Sequence, residues 1–467
     1  MRARELSLSQ LSWSAHQLVM RFRFDELEFS TVYWYPDTDL LELEGRFGHD
    51  LVERLFVHVA LFEINKIASL RPRTLSLGPY ARHHSEALER LWSTIFHKVW
   101  AQWRYENDLP EEPPVRWIDT PRSPGGAPVR RDRQREELLM FCGGGKDSLV
   151  NMKLLEGAGI PFATLAYAAS IYGQAAPQLA LIDGLVARGA ATRRHRQIIL
   201  DDFFDAPVLE LYGQELGVRT ITAAETPSSI FAALPLMLAH GYGYAVLGHE
   251  ASANQGNLIW AATGEDVNHQ WGKSAEAEAL LDDYVRAELV ADIGLFSALM
   301  PIHDVVIFEL LRRDEDSLFA THSCNVAKPW CRRCPKCAYV WLGYRAHLSR
   351  EVVEAIFPEA LLEVPDNYAF FHDMVGLGEH TPFECIGQIE ESRIALALCG
   401  ARGLLGPRGR ELLGRLPAMD LDGVLAEFCK VDAASARLPS AYAPGILDQM
   451  HSASLSAQAR IRGLLGS

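Results

Sequence analysis

A short apolar run ending in Phe141-Cys142 opens directly into Gly143-Gly144-Gly145-Lys146-Asp147-Ser148, and a helical stretch follows. Glycines let backbone N–H groups approach oxygen atoms without interference from Cβ. A helix starting there turns its positive end toward the same anion. In such a cradle Lys146 supplies a point charge, Ser148 a hydroxyl, and Asp147 a carboxylate suited to Mg²⁺ or to orienting the loop. Cys142, Gly143, Gly144, Gly145, Lys146, Asp147 and Ser148 are therefore the candidate nucleotide-binding residues, with Lys146 and Asp147 also candidates for catalysis. A Walker A loop needs lysine directly before Ser or Thr and a glycine five residues before its second. Here Asp147 intervenes and that first glycine is missing, and the third glycine of a Rossmann fingerprint is out of place.

A second chemical constellation is Cys324 followed by Cys331-x-x-Cys334-x-x-Cys337. Four thiolates so close in sequence suit a closed tetrahedral zinc site of structural type. An iron–sulfur cluster is the alternative, although no further cysteine group exists for a second cluster. With the other four cysteines scattered, this is the pattern of metal ligation in a reducing compartment, not of a secreted disulfide framework.

Three polar segments remain. His249-Glu250-Ala251-Ser252-Ala253-Asn254 follows an apolar run, where a parallel sheet would present ligand-binding groups; the plain alternative is a helix cap at a strand exit. Asn268-His269-Gln270-Trp271-Gly272-Lys273-Ser274 mixes polar and aromatic groups, or is an ordinary turn. Thr381-Pro382-Phe383-Glu384-Cys385-Ile386-Gly387, with Glu390-Glu391-Ser392-Arg393, holds a cysteine beside a carboxylate, either a proton-transfer thiol or a buried inert one. His249, Glu250, His269, Lys273 and Cys385 are the candidates for acid–base work. Trp260, Trp271 and Trp330 are expected to pack.

The elements that must position these groups follow from patterning. Two strands are expected between residues 15 and 35, with a tight turn near Asp25-Glu26, followed by helices around Leu51, Leu55, Val59 and Leu61 and around residues 86–103. Proline and charge crowd DLPEEPPVRW and TPRSPGGAPVRR, a linker signature. The chain is expected to divide into an α+β unit over 1–120, a linker over 121–136, a phosphate-loop domain over 137–345 that includes the cysteine knot, and a mostly helical region over 346–467. Strands over 137–142, 162–169, 195–200 and 244–248 alternate with helices over 146–156, 174–188 and 228–240. That order gives an α/β fold, a parallel sheet flanked by helices.

With 467 residues the chain has room for several cores. Its formal net charge of −15 disfavours a nucleic-acid partner, because phosphate backbones demand basic surface. The start of the chain lacks a signal-peptide h-region, and the most apolar stretch, near 231–248, is interrupted by Pro235 and His240. A soluble, cytoplasmic protein is expected, of undetermined oligomeric state.

The order Gly144-Gly145-Lys146-Asp147-Ser148 resembles the loop of the ATP pyrophosphatase (PP-loop) superfamily, with Gly143 where that superfamily usually has serine. The resemblance implies an adenine-nucleotide alpha-hydrolase-like core and chemistry that forms AMP and pyrophosphate from ATP with Mg²⁺. A similar cysteine knot follows this domain in cyano-deazaguanine synthases. Taken together, FCGGGKDS, GHEASAN, VNHQWGKS, the SCN…WCRRCPKC knot and HTPFECIGQIEESR resemble the ATP-dependent UDP-N-acetylmuramoyl-L-alanyl-L-glutamate epimerases (MurL family) of peptidoglycan synthesis. This implies a small-molecule substrate, UDP-MurNAc-L-Ala-L-Glu, whose terminal L-Glu becomes D-Glu through an acyl-adenylate. The rivals are a nucleobase- or tRNA-modifying PP-loop enzyme and a zinc-stabilised ATP-binding regulatory module. On location alone, the N-terminal strands and helices are expected to hold the UDP-MurNAc part or to dimerise.

Overall fold

The computed structural model describes residues 4–121, 126–131 and 135–466, so the expected linker lies partly outside the described residues. Its centre is a ten-stranded, mostly parallel sheet. The strands are β1 (Glu5–Trp13), β2 (Gln17–Phe24), β3 (Leu27–Trp34), β4 (Thr74–Ser76), β5 (Arg116–Trp117), β6 (Leu138–Phe141), β7 (Phe162–Ala169), β8 (Arg194–Asp201), β9 (Tyr244–Leu247), the small hairpin pair β10 (Leu258–Ile259) and β11 (Asp266–Val267), and β12 (Gly294–Ser297). All but the hairpin join one sheet in the order β12-β9-β6-β7-β8-β3-β2-β1-β4-β5.

The phosphate-loop strand β6 sits between β7 and β9, parallel to both. The chain runs from β6 outward through β7 and β8, then returns to place β9 on the other side of β6. Such a reversal of strand order opens a crevice at the carboxyl end of the sheet. The Gly143–Ser148 loop stands at that end. Strand β6 is covered on both faces, as central parallel strands are. Leu139 enters one core cluster while Leu138 and Met140 enter the other.

The N-terminal strands number three, not two. The expected pair is β2 and β3, with Phe24 opposite Leu27 across a turn where Asp25 has φ 50°. Strand β1 escaped notice because its alternation breaks where the register shifts between Leu8 and Gln10. These strands extend the same sheet: β3 pairs antiparallel with β8, Thr31 opposite Asp201. The sheet is thus continuous on both sides of the expected linker. Helix His49–Ile64 is buried on every face from Leu51 onward, and it shares its core with the helix Glu225–His240. Strand β12 was also unforeseen. Beyond the cysteine segment, helices Pro335–His347, Ile389–Ala401 and Ala443–Leu465 pack on the opposite face, burying Ile394, Leu396, Leu398 and Leu412.

Candidate functional site

Strand β6 delivers the glycine loop to the N-terminus of helix Lys146–Gly157, whose cap residue, Gly145, has no side chain to satisfy the first-turn N–H groups. Those groups and the helix dipole favour an anion. Inside the loop the Gly143 N–H donates to Ser148 Oγ at 3.1 Å. Gly144 has φ +85°, and a Cβ on it would lie 2.2 Å from the His322 ring, so both backbone and space demand glycine. The His322 N–H donates to the Gly144 carbonyl at 2.9 Å. Open space surrounds the position of a Cβ on Gly143. Cys142 is 1 % exposed and belongs to the core, its thiol pushed up to about 11 by burial. Its side chain does not reach the loop's outer surface.

Lys146 also turns inward. Its ammonium is buried, donating to Asp147 Oδ1 at 2.6 Å and to Asp304. Burial opposes its charge, but Asp147, Asp304 and Glu250 outweigh that and keep it protonated well above the usual lysine range. Asp304 in turn accepts the Tyr339 hydroxyl at 2.8 Å, and its N–H donates to Glu391 at 2.7 Å. Glu391 also accepts from Ser252 Oγ at 2.6 Å and from the Gln388 N–H at 2.7 Å. Glu250 caps the single turn Ala251–Asn254 by accepting the Ser252 N–H at 2.6 Å. Burial and the charges of Asp304 and Glu391 raise its carboxyl well above the ordinary range. The plain expectation for the His249–Asn254 segment, a cap at a strand exit, therefore describes Glu250. It sits behind the loop and does not line the cleft.

In front of the loop lies a cleft of about 540 Å³, within the size range of small-molecule sites. Gly143, Gly145, Asp147 and Ser148 line it together with His269, Lys273 and Cys385. Lys273 Nζ donates to Cys385 Sγ at 2.8 Å, and His269 lies beside Cys385 and Glu384 with its Nδ1 on Gln102 Oε1 at 2.7 Å. Burial would push the Cys385 thiol up. The Lys273 charge, the His269 hydrogen bond and charge, and the Lys336 charge overcome it and hold Cys385 well below the ordinary thiol range. Lys273 is correspondingly held above the usual lysine value. His249, half-buried, is pushed down to about 3 by burial and the Lys273 charge, against the pull of Asp147. Its Nδ1 has no partner among the described residues, and it does not line the cleft.

The two segments that meet at Cys385 are joined by their own hydrogen bonds. Asn257 donates to Thr381 Oγ1 and the Pro382 carbonyl, each at 3.0 Å, and accepts the His269 N–H at 2.9 Å. Gln270 donates to the Ile386 carbonyl at 2.9 Å. Trp271 and Trp260 are buried, as expected of packing residues. Sequence reasoning passed over Asp304, which no local pattern distinguishes, and over Lys328 and Lys336, which line the cleft from inside the cysteine segment. It also missed Tyr172 and Glu225, hydrogen-bonded to each other at 3.0 Å on the cleft wall. From the N-terminal part, helix Glu86–Glu106 contributes Val99 to the wall and Gln102 to His269.

Cys324, Cys331, Cys334 and Cys337 place their sulfurs within 4.8 Å of one another. Cys324 and Cys334 are 3.9 Å apart, as are Cys331 and Cys337. Four Zn–S bonds of about 2.3 Å in a tetrahedron separate sulfurs by roughly 3.8 Å, so the set fits a metal ion of that kind. Backbone N–H groups of Val326, Ala327 and Cys331 point at Cys324 Sγ from 3.3 to 3.4 Å, a setting suited to a thiolate.

A UDP-N-acetyl-alpha-D-muramoyl-L-alanyl-L-glutamate epimerase from Micromonospora sp. is 32% identical over 330 residues, which are 67% of this chain and 68% of that protein. The chain belongs to the MurL epimerase family. Proteins of the same name from Salinispora tropica (32% identity; 66% of this chain, 65% of that protein) and Xanthomonas oryzae pv. oryzae (27%; 71% of each) are also similar. Residues 221–298 match the family model described as the MurL N-terminal domain, and residues 318–403 the MurL C-terminal domain. The first MurL span carries His269 and Lys273; the second carries the cysteine knot, Cys385 and Glu391. The Lys273–Cys385 contact is therefore where the two MurL spans meet. The phosphate loop lies outside both.

Proposed function

We propose that this chain converts the terminal L-Glu of UDP-MurNAc-L-Ala-L-Glu to D-Glu, with ATP split to AMP and pyrophosphate on a PP-loop core. The observation that carries the proposal is a half-buried cysteine with a lysine ammonium 2.8 Å from its sulfur, a charge that favours its thiolate, in the same cleft as a phosphate-type loop. The name shared by the relatives supplies the substrate. The α-proton beside a free carboxylate is very weakly acidic, because its removal would place two negative charges on adjacent atoms. ATP, when bound, supplies the adenylyl group that removes the carboxylate's charge. Asp147, on the cleft wall, would hold the accompanying Mg²⁺ through the oxygen that Lys146 does not occupy. Cys385 then takes the α-proton, Lys273 holds the thiolate, and His269, fixed by Gln102, completes the unit. Lys273 and His269 both adjoin Cys385, and the three act as one acid–base unit; a second group returns a proton to the opposite face, and water cleaves the acyl-adenylate to free D-Glu and AMP. The knot holds a structural Zn²⁺, and the reaction belongs in the cytoplasm; among the described residues no helix is long and apolar enough to cross a membrane.

Incubation with ATP, Mg²⁺ and UDP-MurNAc-L-Ala-L-Glu in deuterated water tests this. AMP, pyrophosphate and D-Glu carrying deuterium at Cα are expected. Recovery of unlabelled L-Glu with no AMP would refute the proposal.

A further inference from the structure

We infer that the cysteine-knot segment is one jaw of a clamp on a nucleotide polyphosphate, with Lys328 and Lys336 supplying the cations that Lys146 does not. The inference rests on the proposed reaction only in taking a nucleotide to be the ligand of the glycine loop. Lys146, the loop's own lysine, is buried and saturated by Asp147 and Asp304. It does not face the cleft. The lysines that do are Lys273, Lys328 and Lys336; Lys273 is committed to Cys385 Sγ, whereas Lys336 gives one hydrogen to the Cys385 carbonyl, which anchors its ammonium at the cleft wall with two more to donate.

Lys328 lies between the first and second cysteines, and Lys336 between the third and fourth. A metal held by the four sulfurs, which lie within 4.8 Å of one another, would therefore fix the backbone on both sides of each ammonium. The same segment touches the loop directly. The His322 ring fills the space of the absent Gly144 Cβ, Ser323 Oγ lies 2.8 Å from where a Gly145 Cβ would be, and both residues line the cleft beside Asn325. Charge balance points the same way. The free N–H groups of the loop and the helix end carry only partial charge, whereas a di- or triphosphate brings several full ones. Lysine acts on phosphate as a point charge, and two lysines across from the loop enclose such a chain between full and partial positive charges.

The source of the polyphosphate is either ATP or the diphosphate of the UDP-sugar, and titration separates them. The full-length protein with its metal would be titrated calorimetrically with ATP–Mg²⁺ and, separately, with UDP, as wild type and as Lys328→Ala, Lys336→Ala and the double variant. Metal content per chain would be measured by mass spectrometry. With metal content unchanged, each single variant is expected to weaken one nucleotide about 10- to 100-fold, as for loss of a charge-assisted hydrogen bond. Lys328→Arg is expected to recover most of the loss. A loss confined to ATP places the clamp on the triphosphate, and one confined to UDP places it on the sugar diphosphate. Affinities for both within twofold of wild type in the metal-replete double variant would overturn the inference. The readout is binding, so an absence of epimerisation would leave the clamp intact while refuting the proposed reaction.

Discussion

Replacing Lys273 by methionine keeps the length of the side chain and removes the charge that holds Cys385 ionised. In the native cleft burial opposes the thiolate, and Lys273, His269 and Lys336 together overcome it. Without Lys273, whose charge is the strongest of these favourable influences, the thiol is expected to return at least to its ordinary value of about 8.5. At pH 7 the thiolate fraction then falls from nearly complete to roughly 3 %, and α-proton exchange slows about 30-fold, equivalent to about 2 kcal/mol of barrier. The sign follows from the direction of the shift. The wild-type thiolate is already formed through the neutral range and is lost only as pH falls, so exchange should be flat there. The variant should gain about 16-fold between pH 7 and 8.5. Deuterium entry at Cα measures exchange, and iodoacetamide alkylation mapped to Cys385 measures the thiolate. AMP release should persist, since Lys146 and Lys336 outweigh Lys273 in keeping the loop carboxylate Asp147 ionised. If the variant exchanges within threefold of wild type at pH 7, or if Cys385 alkylation shows an unchanged pH profile, the Lys273–Cys385 assignment fails.

Four further outcomes follow from packing and burial. Gly144→Ala forces a side chain into φ +85° and onto the His322 ring, so a loss of at least about 1 kcal/mol in urea melts and weakened nucleotide binding are expected. Gly143→Ser enters open space and should shift stability by no more than about 0.5 kcal/mol while retaining nucleotide binding. Asp304→Ala leaves the Lys146 ammonium buried with one carboxylate fewer and should cost about 3–5 kcal/mol, read as a fall in thermal midpoint that Asp304→Asn only partly restores. His58 is 2 % exposed and pushed down to about 3 by burial, so it folds neutral. Its contribution is complete above about 6.5 and is lost as pH falls toward 3, costing about 2 kcal/mol at pH 5. Urea melts at pH 7 and pH 5 should show that loss in wild type and a smaller one in His58→Gln.

What could be read in advance depended on the range of each signal. Strand β7 is found at the bounds its pattern predicts, and the helix after the glycine loop begins at Lys146 as expected. Both signals are local. The cleft residues Lys273 and Cys385 were legible as types in polar segments, but their 2.8 Å contact spans 112 positions, and nothing at either position announces the other. Lys328 and Lys336 stood inside a segment whose cysteines drew the chemistry toward the metal and away from the lysines. Asp304, with no motif around it, was invisible until the fold placed it under Lys146.

Lys146 shows why residue type and position within a loop do not determine a role. In a glycine loop a lysine reads as a phosphate ligand because the loop's backbone faces the anion, yet a lysine stem can also fold back along the helix it starts. Here the buried side offers two carboxylates, and Asp304 is held there by Tyr339 and Glu391. Glu391 is held by Ser252. Three segments far apart in the chain, the glycine loop, the turn after β9 and the helix beginning Ile389, are thereby joined by one buried run of charges and hydrogen bonds. Removing Asp304 leaves the Lys146 ammonium in the core with Asp147 alone, where the cost is several kcal/mol. That network fixes the inner face of the loop, and the groups that meet a ligand come from across the cleft: Lys273 and Cys385 where the two matched MurL spans touch, and the lysines of the cysteine knot.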